Sequence, residues 1–371
     1  MISSAPSVTT ISEIVLHRLK VPLTVPYKLS FVELRAFDTI LVEVHGGDGR
    51  VGYGEATLLT GYTQESTARS WDLACRLCRD MAGKSTGDIK RRVGEHDARA
   101  AFTSTAITTA VEMLEANSWL RSEQRTEVPL LALLHGDTEG ELADEIRICV
   151  EQGYDTFKVK VGFHADTDLA RVELIQKLLA GRGHIRIDAN QGYSTVDACR
   201  FASALDPQAI ELLEQTCRAG DWEAAAAVAK VSTVPMMLDE SIYTLDDVER
   251  AAELGAAAYI KFKLMKAGGC EKLARALDWI RELGMTPVLG NGVACDIGCW
   301  MEVRMAGELI DNAGEMNGFL KTEHSIVENP MPVESGAVVL DPDYWPRLDR
   351  AALERYAQAT LRCLPHGSEE T

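Results

Sequence analysis

A parallel α/β barrel preceded by an α+β domain is the fold class this sequence predicts, and three observations predict it. Lys160, Asp188, Glu214, Asp239 and Lys263 follow one another at steps of about 24 to 28 residues. That is the length of one strand–helix unit in a barrel that makes eight units from roughly 250 residues. Each position ends a short apolar or β-branched run: Thr156-Phe-Lys-Val-Lys160, His184-Ile-Arg-Ile-Asp188, Ala209-Ile-Glu-Leu-Leu-Glu214, Val234-Pro-Met-Met-Leu-Asp239 and Ala258-Tyr-Ile-Lys-Phe-Lys263. Such runs suit parallel strands covered by helices. Between them, Asp166–Ala180, Asp197–Leu205, Trp222–Val231 and Leu245–Leu254 carry amphipathic patterns. The alternation is that of βαβ units rather than of a sandwich.

Ahead of the barrel, residues 11–19, 37–45 and 50–55 read as strands, with Gly46-Gly-Asp-Gly49 suited to a hairpin turn. Helical patterns follow at 64–82, 86–94 and 100–122, so residues 1–129 are expected to form a separate α+β domain. Leu130–Leu134 opens the barrel, which is expected to run to residue 320. The βα rhythm stops after Gly318, and 321–371 is expected as loop and short helix that packs back on the first domain.

At 371 residues, 46% hydrophobic and 25% charged, the chain can bury a substantial core. No apolar run reaches the roughly 18 residues of a membrane span. Met1–Thr10 lacks the basic and apolar blocks of a signal peptide, so the expected location is the cytoplasm. A net charge of −18 argues against nucleic acid as a partner. Cys75-x-x-Cys78 lies in a helical pattern without a second pair at zinc spacing, and the nine cysteines are expected as small buried thiols.

Barrels of this kind keep their active sites at the C-terminal ends of the strands, where the five charged positions fall. Three carboxylates flanked by amines read as a divalent-metal site between two proton carriers. Removing a proton beside a carboxylate leaves negative charge on two neighbouring oxygens, which a hard cation stabilises. The base must be neutral to act. Lys158 and Lys160 share one face of their strand, and Lys158, with the metal, is expected to lower the pKa of Lys160 into a usable range. On the other flank Lys261, Lys263 and Lys266 are all candidates, and spacing does not choose among them. Asn190 shares a face with Asp188 and can orient the groups around it. No histidine lies between 185 and 323, so the run Thr286-Pro-Val-Leu-Gly290-Asn291 ends without a histidine base.

With these residues in place, the chain resembles the enolase superfamily, in particular its muconate-lactonizing-enzyme subgroup. The resemblance rests on Lys158-Val-Lys160-Val-Gly162, Asp188-Ala-Asn190-Gln-Gly192-Tyr193, Glu214-Gln215, Asp239-Glu-Ser241 and Lys263-Leu-Met-Lys-Ala-Gly268-Gly269. Pro26-Tyr-Lys-Leu-Ser30 and Val51-Gly-Tyr-Gly-Glu55-Ala are similar to segments of the subgroup's capping domain. The resemblance implies a modified TIM barrel, (β/α)7β, under an α+β cap. It implies one Mg2+, with Mn2+ as a substitute, on Asp188, Glu214 and Asp239. Lys160 and Lys263 become the opposed acid/base catalysts, with Lys158 assisting. Glu315 falls near the substrate carboxylate. Loops Leu23–Ser30 and Leu58–Tyr62 would close the site, with Tyr27 and Ser30 among the substrate contacts. The implied partners are a small-molecule carboxylate substrate and further copies of the chain, since related proteins are often octamers.

The two-lysine arrangement implies 1,1-proton transfer, cycloisomerisation or β-elimination. Dipeptide epimerases of the subgroup commonly carry Asp-x-Asp where this chain has Glu315-Met-Asn317, which places muconate-cycloisomerase-like chemistry first. A racemase or epimerase of an N-modified amino acid or dipeptide comes second. Gln215 stands where proline often follows the metal-binding glutamate. A Schiff-base lyase using Lys160 or Lys263, and a metal-dependent binder without turnover, are the remaining readings.

Overall fold

The computed structural model describes residues 9–28, 33–60 and 65–365. The N-terminal part is an antiparallel sheet of β1 (Ile11–Lys28), β2 (Glu33–Gly46) and β3 (Val51–Leu58), followed by α1 (Thr67–Met81), α2 (Thr86–Gly94) and α3 (Asp97–Leu114). Alternation along the strands sorts the side chains onto two faces. Ile14, Leu16, Ile40, Val42 and Val44 bury against the three helices, while Leu19, Val21, Phe37 and Leu41 join the core shared with the barrel. Cys75 and Cys78 are buried thiols on α1. Helix α3 packs against β3 so closely that a methyl group on Gly54 would lie 2.0 Å from the Ala106 carbonyl oxygen. This helix stops at Leu114 rather than running on to 122. Ala116 turns to φ 55°, and Asn117 caps a short 3-10 turn over Ser118–Leu120.

The barrel follows β4 (Thr126–Pro129). Its strands are β5 (Ala132–Leu134), β6 (Thr156–Lys160), β7 (His184–Asp188), β8 (Ile210–Glu214), β9 (Met236–Leu238), β10 (Tyr259–Phe262) and β11 (Thr286–Leu289), paired in that order. The pairings are parallel throughout. The outer helices are α4 (Glu139–Glu151), α5 (Ala165–Leu179), α6 (Thr195–Ala204), α7 (Trp222–Val231), α8 (Leu245–Glu253), the one-turn α9 (Leu264–Ala267), α10 (Cys270–Glu282) and α11 (Asp296–Leu309). Thr138 and Thr244 start α4 and α8 with capping boxes.

The ring closes without a regular eighth strand. Leu131 N–H donates to the Gly314 carbonyl (3.2 Å), Gly314 N–H to Pro129 (2.8 Å), and Glu315 N–H to Leu289 (3.2 Å). Residues 314–315 therefore bridge β11 to the start of the barrel as a minimal eighth stave. This is the modified TIM barrel under a strand-rich cap.

Strand alternation also layers the interior. Phe157, Val159, Ile185, Ile187 and Leu213 face the helices. Leu212, Met237 and Val288 form a small lower cluster, and Lys158, Asp188, Glu214 and Lys261 stand above it, each nearly fully buried.

The tail holds more than loop and short helix. It contains β12 (Val333–Glu334), β13 (Ala337–Leu340), α12 (Arg350–Tyr356) and β14 (Ala357–Cys363). Strand β13 pairs with β4, and β14 becomes the edge of the cap sheet against β1, from Leu19↔Ala357 to Ile14↔Cys363. Ala-Gln-Ala-Thr-Leu-Arg-Cys is too weakly apolar to announce a strand, because its outer face meets water. Among the described residues, no helix is long and apolar enough to cross a membrane.

Candidate active site

A cleft at the C-terminal end of the barrel is lined by Tyr27 and Leu59 from the cap, and by charged residues from the strand ends. Lys158, Lys160, Asp188, Asp239, Lys261, Lys263 and Glu315 all reach it. Glu214 stands behind them, tied to Lys158 and Lys261.

Lys158 is the hub of the buried layer. Its Nζ lies 2.8 Å from Asp188 Oδ2, 2.8 Å from Glu214 Oε2 and 2.9 Å from Glu315 Oε2. Burial works against its charge, but three carboxylates outweigh burial and hold its pKa well above the ordinary lysine value. Lys261 donates to Glu214 Oε1 (3.2 Å) and contacts Glu315. Glu315 is thus clamped between two amines. Burial raises its pKa, and Lys158 and Lys261 more than offset this, holding it well below the carboxylate range.

The two outer lysines each lean on one acid. Lys160 Nζ donates to Asp188 Oδ2 (2.6 Å) and to Asn190 Oδ1 (2.5 Å). Lys263 Nζ donates to Asp239 Oδ2 (2.7 Å). Asp188 is pulled down to about 2: its burial is overcome by the Lys158 and Lys160 charges. Burial pushes the pKa of Lys160 down and Lys158 adds to this, but the charges of Asp188, Tyr27 and Glu214 together outweigh them, so the amine sits above its ordinary value.

Lys266 is on α9. It is buried behind Asp239, donating to the Asp239 and Ile242 carbonyls (3.0 and 2.8 Å). Asn190 adopts φ 40° and donates from Nδ2 to Glu240 Oε1 (3.0 Å). Tyr27 lines the cleft. Ser30 lies outside the described residues, as does part of each expected capping loop.

Residues 141–343 match the family "Enolase C-terminal domain-like", more than half of the chain. The chain belongs to the enolase superfamily. It is 27% identical over 314 residues to an L-Ala-D/L-Glu epimerase of Clostridium acetobutylicum, covering 80% of this chain and 84% of that one. It is 26% identical over 351 residues to muconate cycloisomerase 1 of Rhodococcus opacus, covering 87% and 91%. Among solved structures, a dipeptide epimerase from Cytophaga hutchinsonii, complexed with Mg and the dipeptide D-Ala-L-Val, superposes with a TM-score of 0.84 at 21% identity. That match covers 95% of this chain and 99% of the other. The chain is accordingly an isomerase of the enolase superfamily.

A divalent cation is the cofactor this superfamily implies, and the donors suit one. Asp188, Glu214 and Asp239 are buried oxygen donors at the ends of three consecutive strands, as a hard cation prefers. Glu214 Oε2 makes no hydrogen bond although Lys158 Nζ lies 2.8 Å away. Among the described residues no three acidic, histidine or cysteine side chains yet form a cation cage, because lysine ammonium groups stand among the carboxylates.

Two residues of this superfamily member make contacts that sequence reasoning did not foresee. Gln215, at φ 38°, uses Oε1 to accept the Asp239 and Ser241 N–H groups (3.0 and 3.1 Å), and Nε2 to donate to Ser241 Oγ (2.8 Å). Glu240 lines the cleft with Oε2 lacking a hydrogen-bond partner, and burial together with the Asp239 charge lifts its pKa to about 7. The Glu214-Gln and Asp239-Glu-Ser241 segments were visible as motifs, but nothing in them disclosed these cross-strand contacts.

Proposed function

We propose that this protein is a racemase or epimerase that moves a proton between the two faces of the carbon next to a carboxylate. One observation carries the reading: Lys160 and Lys263 reach one cleft from opposite walls. Lys160 ends β6 and Lys263 follows β10, four staves apart in a ring of eight. Two bases on opposite faces are what inversion needs, whereas ring closure of a diene acid needs a single proton delivered to one face.

In the reaction, one lysine as free amine takes the α-proton, and the electron pair moves into the carboxylate. The other lysine, as ammonium, then gives its proton to the opposite face. The reverse direction exchanges the two roles, so the pair cycles with one proton between them. A divalent cation held by Asp188, Glu214 and Asp239 would supply positive charge for the doubly anionic carboxylate and draw the acids' charge away from the amines. Lys158 and Lys261 hold Glu214 and Glu315 in place, and Asn190 positions the Lys160 amine through its 2.5 Å contact. The buried setting of the carboxylates strengthens each of these charge interactions.

Muconate-type cycloisomerisation remains a second reading, favoured by the longer reach of the Rhodococcus opacus cycloisomerase match. Proton NMR in D2O with Mg2+, over N-acyl amino acids, dipeptides and muconates, tests both. Deuterium at an α-carbon with loss of optical activity supports the first reading. A lactone formed from muconate without α-exchange elsewhere overturns it in favour of the second.

A further inference from the structure

Asp168 holds two strand-exit loops at once. It stands in the first turn of α5 and is 4% exposed. Its Oδ2 accepts the N–H groups of Gly162 (3.1 Å), Phe163 (3.0 Å) and His164 (3.0 Å), in the loop that leaves β6 after Lys160. The same oxygen accepts the Tyr193 hydroxyl at 2.7 Å. Tyr193 belongs to the next loop, which leaves β7 after Asp188 and carries Asn190. The three amides are what starting α5 requires, whereas the phenol reaches in from a different stave.

The two loops are fitted to each other along their backbones. A methyl group on Gly162, at φ 99°, would lie 2.4 Å from the Ala189 carbonyl oxygen, and one on Gly192 would lie 2.2 Å from the Gly162 oxygen. Val161 N–H donates to the Asp188 carbonyl (2.9 Å). Between these contacts Asn190 and Gln191 both take left-handed φ, 40° and 67°. Residues other than glycine hold that conformation where the surroundings impose it. Gln191 is pinned by its N–H to the Gln215 carbonyl (2.7 Å) and by its Oε1, which accepts the Ala219 N–H (2.8 Å). On the other side of the turn, the Tyr193 hydroxyl ties the loop to α5.

This turn presents Asn190 Oδ1, which lies 2.5 Å from Lys160 Nζ. A lysine amine rides on a flexible four-carbon stem, so its place beside a reacting carbon depends on acceptors that are themselves fixed. Lys263 is fixed by other means: the residue after it, Leu264, donates its N–H to Glu302 on α11 (2.9 Å).

We propose that the Asp168–Tyr193 hydrogen bond is a clamp that positions Lys160, through Asn190, for its half of the proton transfer. Asp168 and Tyr193 are positioning residues, and their effect is one-sided: it reaches Lys160 and not Lys263. The inference rests on the two-lysine reading for the role of Lys160.

Tyr193→Phe tests it, since it removes one oxygen and keeps the ring that packs on Phe201, 5.2 Å between centroids. The first measurement is α-proton exchange in D2O with Mg2+, on N-acetyl-L-alanine and N-acetyl-D-alanine. The enantiomer facing Lys160 is the one whose exchange Lys160→Ala abolishes. In Tyr193→Phe its exchange should fall roughly 10- to 100-fold, with the other enantiomer within about twofold of native. The second measurement is acylation of the Mg2+-loaded protein by acetic anhydride, read by peptide mass spectrometry. Lys160, freed from a fixed Asn190, should react severalfold faster relative to Lys263 than in the native protein. Equal loss of exchange for both enantiomers marks a structural role and overturns the proposal. An unchanged acylation ratio, or unchanged exchange, overturns it too. Exchange of neither enantiomer by the native protein counts against the racemase reading and leaves the acylation ratio to decide the clamp.

Discussion

Gln215 holds Asp239 from the neighbouring strand: its Oε1 accepts the Asp239 N–H at 3.0 Å and the Ser241 N–H at 3.1 Å. A proline at 215 would lose this staple, and its ring cannot reach the φ of 38° found there. Gln215→Pro should therefore destabilise the fold by about 3 kcal/mol or more, read by chemical denaturation. Gln215→Ala should fold and bind Mg2+ roughly 10- to 100-fold more weakly, read by metal titration. Unchanged metal affinity would show that the staple does not position Asp239.

Each half of the proton transfer is separable. Lys160→Ala and Lys263→Ala should each lower racemisation by at least about 100-fold. Each variant should still exchange the α-proton of one enantiomer in D2O, the one facing its remaining lysine. Near-native racemisation by either variant would mean that the opposed-base assignment is wrong.

Chelation should silence the enzyme. Dialysis against EDTA is expected to abolish exchange, Mg2+ to restore it and Mn2+ to substitute. Full activity after chelation, confirmed metal-free by elemental analysis, would remove the reason for three carboxylates at these strand ends.

Glu55 joins the cap to the barrel by accepting N–H groups of Cys295 (2.5 Å), Ile297 (3.0 Å) and Gly298 (3.0 Å) at the start of α11. Burial raises its pKa to about 7 despite those donors. A raised carboxyl pKa means that the folded state keeps a proton the unfolded chain has lost. The contribution is complete below about pH 4.5 and declines as pH rises toward 7. Native stability should fall across that window, and Glu55→Gln, which cannot ionise, should lose about 1–3 kcal/mol of that slope. Parallel pH profiles for the two proteins would refute the assignment.

Glycine tolerance should differ sharply between two sites. Gly54→Ala drives a methyl into the Ala106 oxygen and the Ala110 nitrogen of α3 (2.0 and 2.5 Å), both backbone atoms. It should cost about 3 kcal/mol. Gly87→Ala on α2 meets nothing within 4 Å and should stabilise by about 0.4–1 kcal/mol. Similar melting temperatures for the two variants would contradict the close packing of β3 on α3.

Much of the barrel was legible because its signals are local. Strand ends and helix caps such as Thr138 and Thr244 are set by residues a few positions apart. Strand β14 was not legible, since an edge strand with one wet face carries little apolar alternation and gains its partner, β1, from the other end of the chain. The end of α3 at Leu114 was missed because Ala116, which leaves the helix at φ 55°, has no side chain that signals a stop.

The sequence by itself determined the period of the barrel, the height of Asp188, Glu214 and Asp239 at its mouth, and the alternation that turns Lys158 and Lys160 inward. Only the tertiary structure decided how the amines divide. Lys261 serves Glu214 and Glu315, Lys263 meets Asp239 in the cleft, Lys266 is buried behind it, and Lys321 donates to the Gly292 carbonyl at the cap seam. The physical reason is geometric. Spacing along a chain gives a residue's height on its strand, but which charges face one another across a closed ring depends on how the strands, the cap and the tail come together.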